Sequence, residues 1–153
     1  MILPRYHIGP SGIPGAGLGL FLDEALPRAR IVTAPDAIPR VHTLPEILAL
    51  PDATQLLAAT ARWFEDRYTV TPEWPDECYI NHAFEPTALW HLGFVFAARD
   101  LAAGSEITVD YRHLLAPGQE EAFRDAVTGE AIVGLSWEDS LRASTRALAH
   151  LLG

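Results

Sequence analysis

Between Tyr79 and Tyr111 the apolar residues arrive in short runs cut by glycine, which dictates strands and turns rather than long helices. Ala88–Leu92 and Phe94–Ala98 flank Gly93 and read as two strands joined by a tight turn. Gly104 marks a second turn, after Leu101-Ala102-Ala103. Glu106–Tyr111 then alternates Glu-Ile-Thr-Val-Asp-Tyr, the pattern of a half-buried strand. The stretch opens on Asn81-His82 and Glu85-Pro86 and closes on Asp110-Tyr111, so polar groups able to bind a ligand stand at both ends.

A second constraint lies near the N-terminus. Gly9 to Gly19 holds five glycines and two prolines in eleven positions, which suits neither a helix nor a regular strand. Such a loop permits positive φ and close approach of backbone to a ligand. Arg5–Ile8 reads as a strand before it, and Leu18–Leu22 as a strand leaving it. Arg30–Ala34, beyond a turn at Pro27, reads as a third, and the three are expected to pair as one small antiparallel sheet. A dinucleotide-binding loop is the competing reading of Gly15-x-Gly17-x-Gly19. The last spacing is wrong for it, and Pro27 follows too soon for the helix it requires.

The segment from Pro35 to Pro75 changes character. Thr43-Leu44-Pro45-Glu46 is a capping box with proline in the first turn, and predicts a short helix to about Leu50. Asp52-x-x-Gln55 predicts a longer one, with Leu56, Leu57, Ala61, Phe64 and Tyr68 at helical spacing. Towards the C-terminus, Gln119–Val127 reads as a helix with Glu120 and Glu121 in its first turn and Gly129 beyond its end. A short apolar run follows. Ser136-x-x-Asp139 then starts a last helix, striped by Trp137, Leu141, Leu148 and Leu152.

Composition narrows the function. A chain of 153 residues, 49% hydrophobic and 20% charged, makes one folded domain. Its one cysteine, Cys78, excludes an internal disulfide and a multi-cysteine zinc site, and no metal is expected. A net charge of −9 argues against nucleic-acid binding and suits a basic partner. There is no signal-peptide pattern and no run that would span a bilayer, so the expected location is the cytoplasm, away from membranes. All eleven basic residues are arginine.

Three blocks, in order, resemble the SET domain. They are Gly15-Ala16-Gly17-Leu18-Gly19-Leu20-Phe21, Asn81-His82 followed by Pro86, and Gly104–Tyr111. The resemblance implies an S-adenosylmethionine-dependent protein-lysine methyltransferase. It also implies a mostly β (α+β) fold of short twisted sheets around a knot-like core. In that arrangement residues 1–153 form a single domain. The core spans about 1–34 and 78–115, a helical insert 35–77 and a helical tail 116–153.

By resemblance, Ala16, Gly17 and Leu18 lie against the cofactor. Asn81 takes the amino and carboxylate groups of its methionine moiety, using a donor and an acceptor in one plane. The main chain of His82 pairs with the adenine edge. Tyr111 is the expected catalytic residue, its hydroxyl at the join of cofactor pocket and lysine channel. Trp90 is an expected wall of that channel. Val109 stands where an aromatic often limits the number of methyl groups. The implied partner is a lysine-containing, basic protein or peptide.

The chain departs from the family at Ala83, Phe84 and Thr87, where Ser, Cys and Asn are common, so the turn after His82 is expected to lose polar braces. The tail has no cysteines to close the pocket with zinc. Phe123 or Trp137 could cover the adenine instead, or the last helix could make a homodimer contact. Two alternatives stay open: an inactive SET-fold module that binds a basic peptide, and a methyltransferase for a substrate other than protein lysine.

Overall fold

The computed structural model describes residues 1–36 and 40–153; residues 37–39 of the expected helical insert lie outside the described residues. Strands β1 (Tyr6–Pro10) and β2 (Leu18–Leu22) form an antiparallel hairpin in which Gly9 faces Gly19. The ends of the glycine run are therefore strand, because glycine can pair in a two-stranded ribbon even where it lowers strand propensity. Strand β3 (Ile31–Thr33) does not join this hairpin, contrary to the sequence expectation. It turns away after Pro27 and pairs elsewhere, as described below.

Helix α1 (Leu44–Leu48) carries the expected capping box: the Thr43 side chain accepts from the Glu46 N–H, and Glu46 accepts from the Thr43 N–H at 2.6 Å. Helix α2 (Ala53–Ala58) stops short of the prediction. Strands β4 (Thr60–Phe64) and β5 (Arg67–Val70) take over, as an antiparallel hairpin around Glu65-Asp66. The helical spacing of Ala61, Phe64 and Tyr68 was coincidental. Two β-branched and aromatic runs around a polar pair favour the hairpin, and Glu65 takes a φ of 47° to turn it.

The centre follows the sequence closely. Strand β6 (Asn81–His82) is followed by β7 (Ala88–His91) and β8 (Phe94–Ala97), joined by a two-residue turn. Leu92 and Gly93 both have positive φ, 52° and 86°, as a twisted hairpin turn requires. β3 pairs with β8, giving an antiparallel sheet ordered β3-β8-β7. The run Glu106–Tyr111 is not one strand. Its start lies against β2, with the Ile107 N–H donating to the Leu20 carbonyl at 2.8 Å. Thr108–Val109, strand β9, then pairs in parallel with β6. Asp110 caps a 3₁₀ turn over Tyr111–His113.

The tail is helical only in its second half. Strands β10 (Glu120–Arg124) and β11 (Ala131–Val133) form a hairpin where a helix was expected. Asp125 turns it, accepting from the N–H groups of Val127 and Thr128 at 3.1 and 2.6 Å, a local bond that competes with helix. Helix α3 (Trp137–Leu152) starts at Ser136 as expected and packs against β7. Its buried residues are Ser140 and Ser144, not the apolar stripe, and Leu152 is exposed. The main core joins Leu20, Leu22, Val32, Val95, Ile107 and Val109 from β2, β3, β8 and the strand reaching β9. Among the described residues no helix is long and apolar enough to cross a membrane.

Candidate functional site

A mainly apolar cleft of about 870 Å³ opens between the β1–β2 loop, the β4–β5 hairpin, the chain around β6 and the tail hairpin. Its volume falls within the roughly 300–1,000 Å³ of small-ligand sites. Ala16, Leu18, Asn81, His82, Trp90, Val109 and Tyr111 all line it. Gly17 does not; with a φ of 78° it shapes the loop that carries its two neighbours.

The three sequence blocks meet on Glu106, a residue that the sequence did not single out. Its Oε1 accepts from the Ser11 hydroxyl at 2.6 Å and from Asn81 Nδ2 at 3.0 Å, and its Oε2 accepts from the Gly12 N–H at 3.0 Å. One carboxylate thus ties the glycine-rich loop to β6. Gly19 makes room for it: a Cβ there would overlap the Glu106 carboxylate and lie 3.2 Å from Asn81 Nδ2. That close approach is the signal the glycine carried.

Asn81 is fixed by the same network. Nδ2 donates both its hydrogens, to the Leu18 carbonyl at 2.8 Å and to Glu106. The donor half of the amide is therefore spent inside the protein. Its Oδ1 has no partner among the described residues, and Asn81 lines the cleft. Of the paired donor and acceptor expected from sequence, only the acceptor is available to a ligand.

Tyr111 is held at two points. Its hydroxyl donates to the Ile80 carbonyl at 2.7 Å, and its backbone N–H donates to His82 Nδ1 at 3.0 Å. Burial, reinforced by the negative potential of Glu121 and by Cys78, pushes the phenol well above its ordinary pKa. The hydroxyl is thus a neutral group at physiological pH. Its proton is committed to Ile80, which leaves the oxygen lone pairs as acceptors.

A family model for the SET domain matches residues 17–112, well over half of the chain. The chain belongs to the SET domain family. Comparison with curated proteins gives no match.

Within this SET domain the departures after His82 do not leave the turn unbraced. Thr87 Oγ1 donates to the Glu106 carbonyl at 3.0 Å and accepts from the Thr108 N–H at 2.8 Å. The Thr87 N–H in turn donates to Thr108 Oγ1 at 2.9 Å. Phe84 stands edge-on to the His82 ring at 4.8 Å, with the Arg112 guanidinium 4.5 Å from its own ring centre. Packing and a hydroxyl pair replace the missing polar groups.

The SET-matched region ends before the tail, but the tail completes the cleft. Phe123 lines it and meets the Tyr111 ring edge-on at 6.3 Å. Trp137 lies elsewhere, in a small hollow with Tyr68 and Pro117, which removes it as a cover for the site. Asp36, Glu77 and Glu121 line the cleft together with Arg124 and with Met1, whose N-terminal ammonium lies 3.5 Å from Asp36 and 3.0 Å from Glu77.

Three imidazoles around the SET core are kept neutral by burial. His82, His91 and His113 are each pushed below the ordinary histidine pKa chiefly by desolvation. His91 and His113 tie α3 to the core through Ser144 Oγ at 3.0 Å and Ser140 Oγ at 2.8 Å. Between the depressed folded value and about 6.5 the unfolded chain binds more protons. Stability is then present above about pH 6.5 and lost as pH falls through that window. Thermal unfolding should show a Tm that is flat from pH 8 to 7 and falls below about 6.5; a Tm that rises there would contradict buried neutral imidazoles.

Proposed function

We propose that this SET domain transfers a methyl group from S-adenosylmethionine to a lysine side chain of a basic protein substrate. The observation that carries the reading is the meeting, in one cleft, of an unpartnered Asn81 Oδ1 and an anchored Tyr111 hydroxyl. The cleft fits the cofactor by chemistry. Asn81 Oδ1 can accept from its amino group, Ala16 and Leu18 offer backbone beside it, and the apolar walls suit its adenine and thioether-like parts. When bound, S-adenosylmethionine supplies an electrophilic methyl group on a sulfonium.

The protein's task is to present a neutral amine to that methyl group in line. Free lysine has a pKa of about 10.4, so an apolar channel that excludes water helps the neutral form. Trp90 and Val109 form part of such a wall. The Tyr111 oxygen accepts from the amine and turns its lone pair towards the methyl group. Because its proton is held by Ile80, it acts as an orienter, not a base. Alignment of this kind is the principal source of rate here. The chain's net charge of −9 draws a basic segment towards the protein. The chain itself has no lysine, so it is not its own substrate at lysine.

Two measurements test the reading. Calorimetry with S-adenosylmethionine should show saturable binding, and no heat at millimolar ligand would sink it. A labelled-methyl assay on lysate proteins should place label on lysine, falling as salt screens the chain's net negative charge. Label on other residues or on small molecules would favour a different substrate class.

A further inference from the structure

Resting on that reading of Tyr111, we infer that Asp125, in the tail hairpin, is a positioning residue for Tyr111 that acts through His82. His82 Nδ1 accepts the Tyr111 backbone N–H at 3.0 Å, so its ring proton must sit on Nε2. The His82 side chain is 2% exposed, and Nε2 has no hydrogen-bond partner among the described residues. Asp125 Oδ1 lies 3.6 Å from it, in a side chain 3% exposed. That separation is long for a hydrogen bond. It is short for a carboxylate acting on an N–H dipole in a water-poor interior.

The carboxylate is built to stay charged there. Burial alone would raise its pKa, but the N–H groups of Thr128, Val127 and Phe84 outweigh burial and hold it below the usual range. Those donors lie at 2.6, 3.1 and 3.4 Å, and they tie Asp125 both to its own hairpin and to the turn after His82. The charge therefore favours the Nε2–H form of His82. The other tautomer would set an imidazole N–H against the Tyr111 N–H and dislodge the backbone that carries the hydroxyl. Asp125 lies beyond the matched residues 17–112, so the tail holds Tyr111 from behind with Asp125 and from the side with Phe123. No sequence pattern marks this carboxylate, because it meets His82 only through the fold.

Imidazole ¹⁵N signals of His82 in the free protein, read across pH in wild type and in Asp125→Asn, test the inference without cofactor or turnover. Asparagine can still accept from the Val127 and Thr128 N–H groups through one oxygen, so the hairpin turn is kept; its NH₂ then takes the place of Oδ1, and the Phe84 bond goes with the charge. Asp110, Asp125 and Arg112 are the charged groups acting on His82, and the variant changes one of them. Wild type should show Nε2–H with bare Nδ1, and the variant should titrate about one pH unit lower. With substrate, kcat should fall about tenfold while Kd for S-adenosylmethionine stays within about twofold, since Asp125 does not line the cleft. An Nδ1–H wild type, an unmoved titration, or an unchanged kcat overturns the inference. A wild type that transfers no methyl group would instead sink the proposed function, and the imidazole signals would still decide the link between Asp125 and His82.

Discussion

Replacing Glu106 with alanine is expected to weaken S-adenosylmethionine binding about 100-fold and to lower Tm by roughly 5–10 °C. The carboxylate accepts three hydrogen bonds, from Ser11, Asn81 and Gly12, and at this partly exposed site they contribute about 1 kcal/mol each. A domain of this size loses about 2–4 °C of Tm per kcal/mol. Without Glu106 the glycine-rich loop is no longer tied to β6, and Asn81 can rotate its amide, so the acceptor that faces the cleft is not held. Calorimetry and thermal unfolding read the two effects separately. Glu106→Gln should fall between, because its NH₂ must face at least one donor. A Kd within threefold of wild type in the alanine variant would show that the loop holds the cofactor without this tie.

Tyr111→Phe is the second large effect, and it should divide from the first. The ring, its contact with Phe123 and the backbone bond to His82 all survive. What goes is one oxygen and the bond to the Ile80 carbonyl, which costs about 1 kcal/mol of stability. Binding of S-adenosylmethionine should change less than about twofold, while kcat falls about 100-fold, the scale of removing one preorganised polar group at a reacting centre. Single-turnover assays separate this from slow product release. Undiminished label transfer in the variant would remove the hydroxyl from the mechanism.

What the sequence revealed were features encoded by neighbours. The Leu92-Gly93 turn, the Thr43 capping box and the Ser136 start of α3 each depend on residues within a few positions, and each stands where expected. The glycine loop, Asn81-His82 and Tyr111 were legible as family blocks. Hidden features were those settled by partners far along the chain. Arg62 shows why β4 displaces helix: buried beside the tail, its Nη1 donates to the Leu135 carbonyl at 2.9 Å, a partner no local pattern reveals. Glu106 looked like the polar face of a strand, but its partners Ser11 and Gly12 lie more than ninety residues away. The tail hairpin was mistaken for helix because Glu120 and Glu121 mimic a helix start, whereas Asp125 bends the backbone back on itself.

The parallel pairing of β6 with β9 carries a kinetic consequence. Parallel neighbours cannot be joined by a tight turn; here β7, β8 and the Gly104 turn must be laid down between them. The cleft walls also come from both ends and the middle of the chain. Nearly the whole molecule must therefore assemble before a ligand has anything to hold. Folding should be slow for a chain of this length, and added ligand should retard unfolding without speeding refolding.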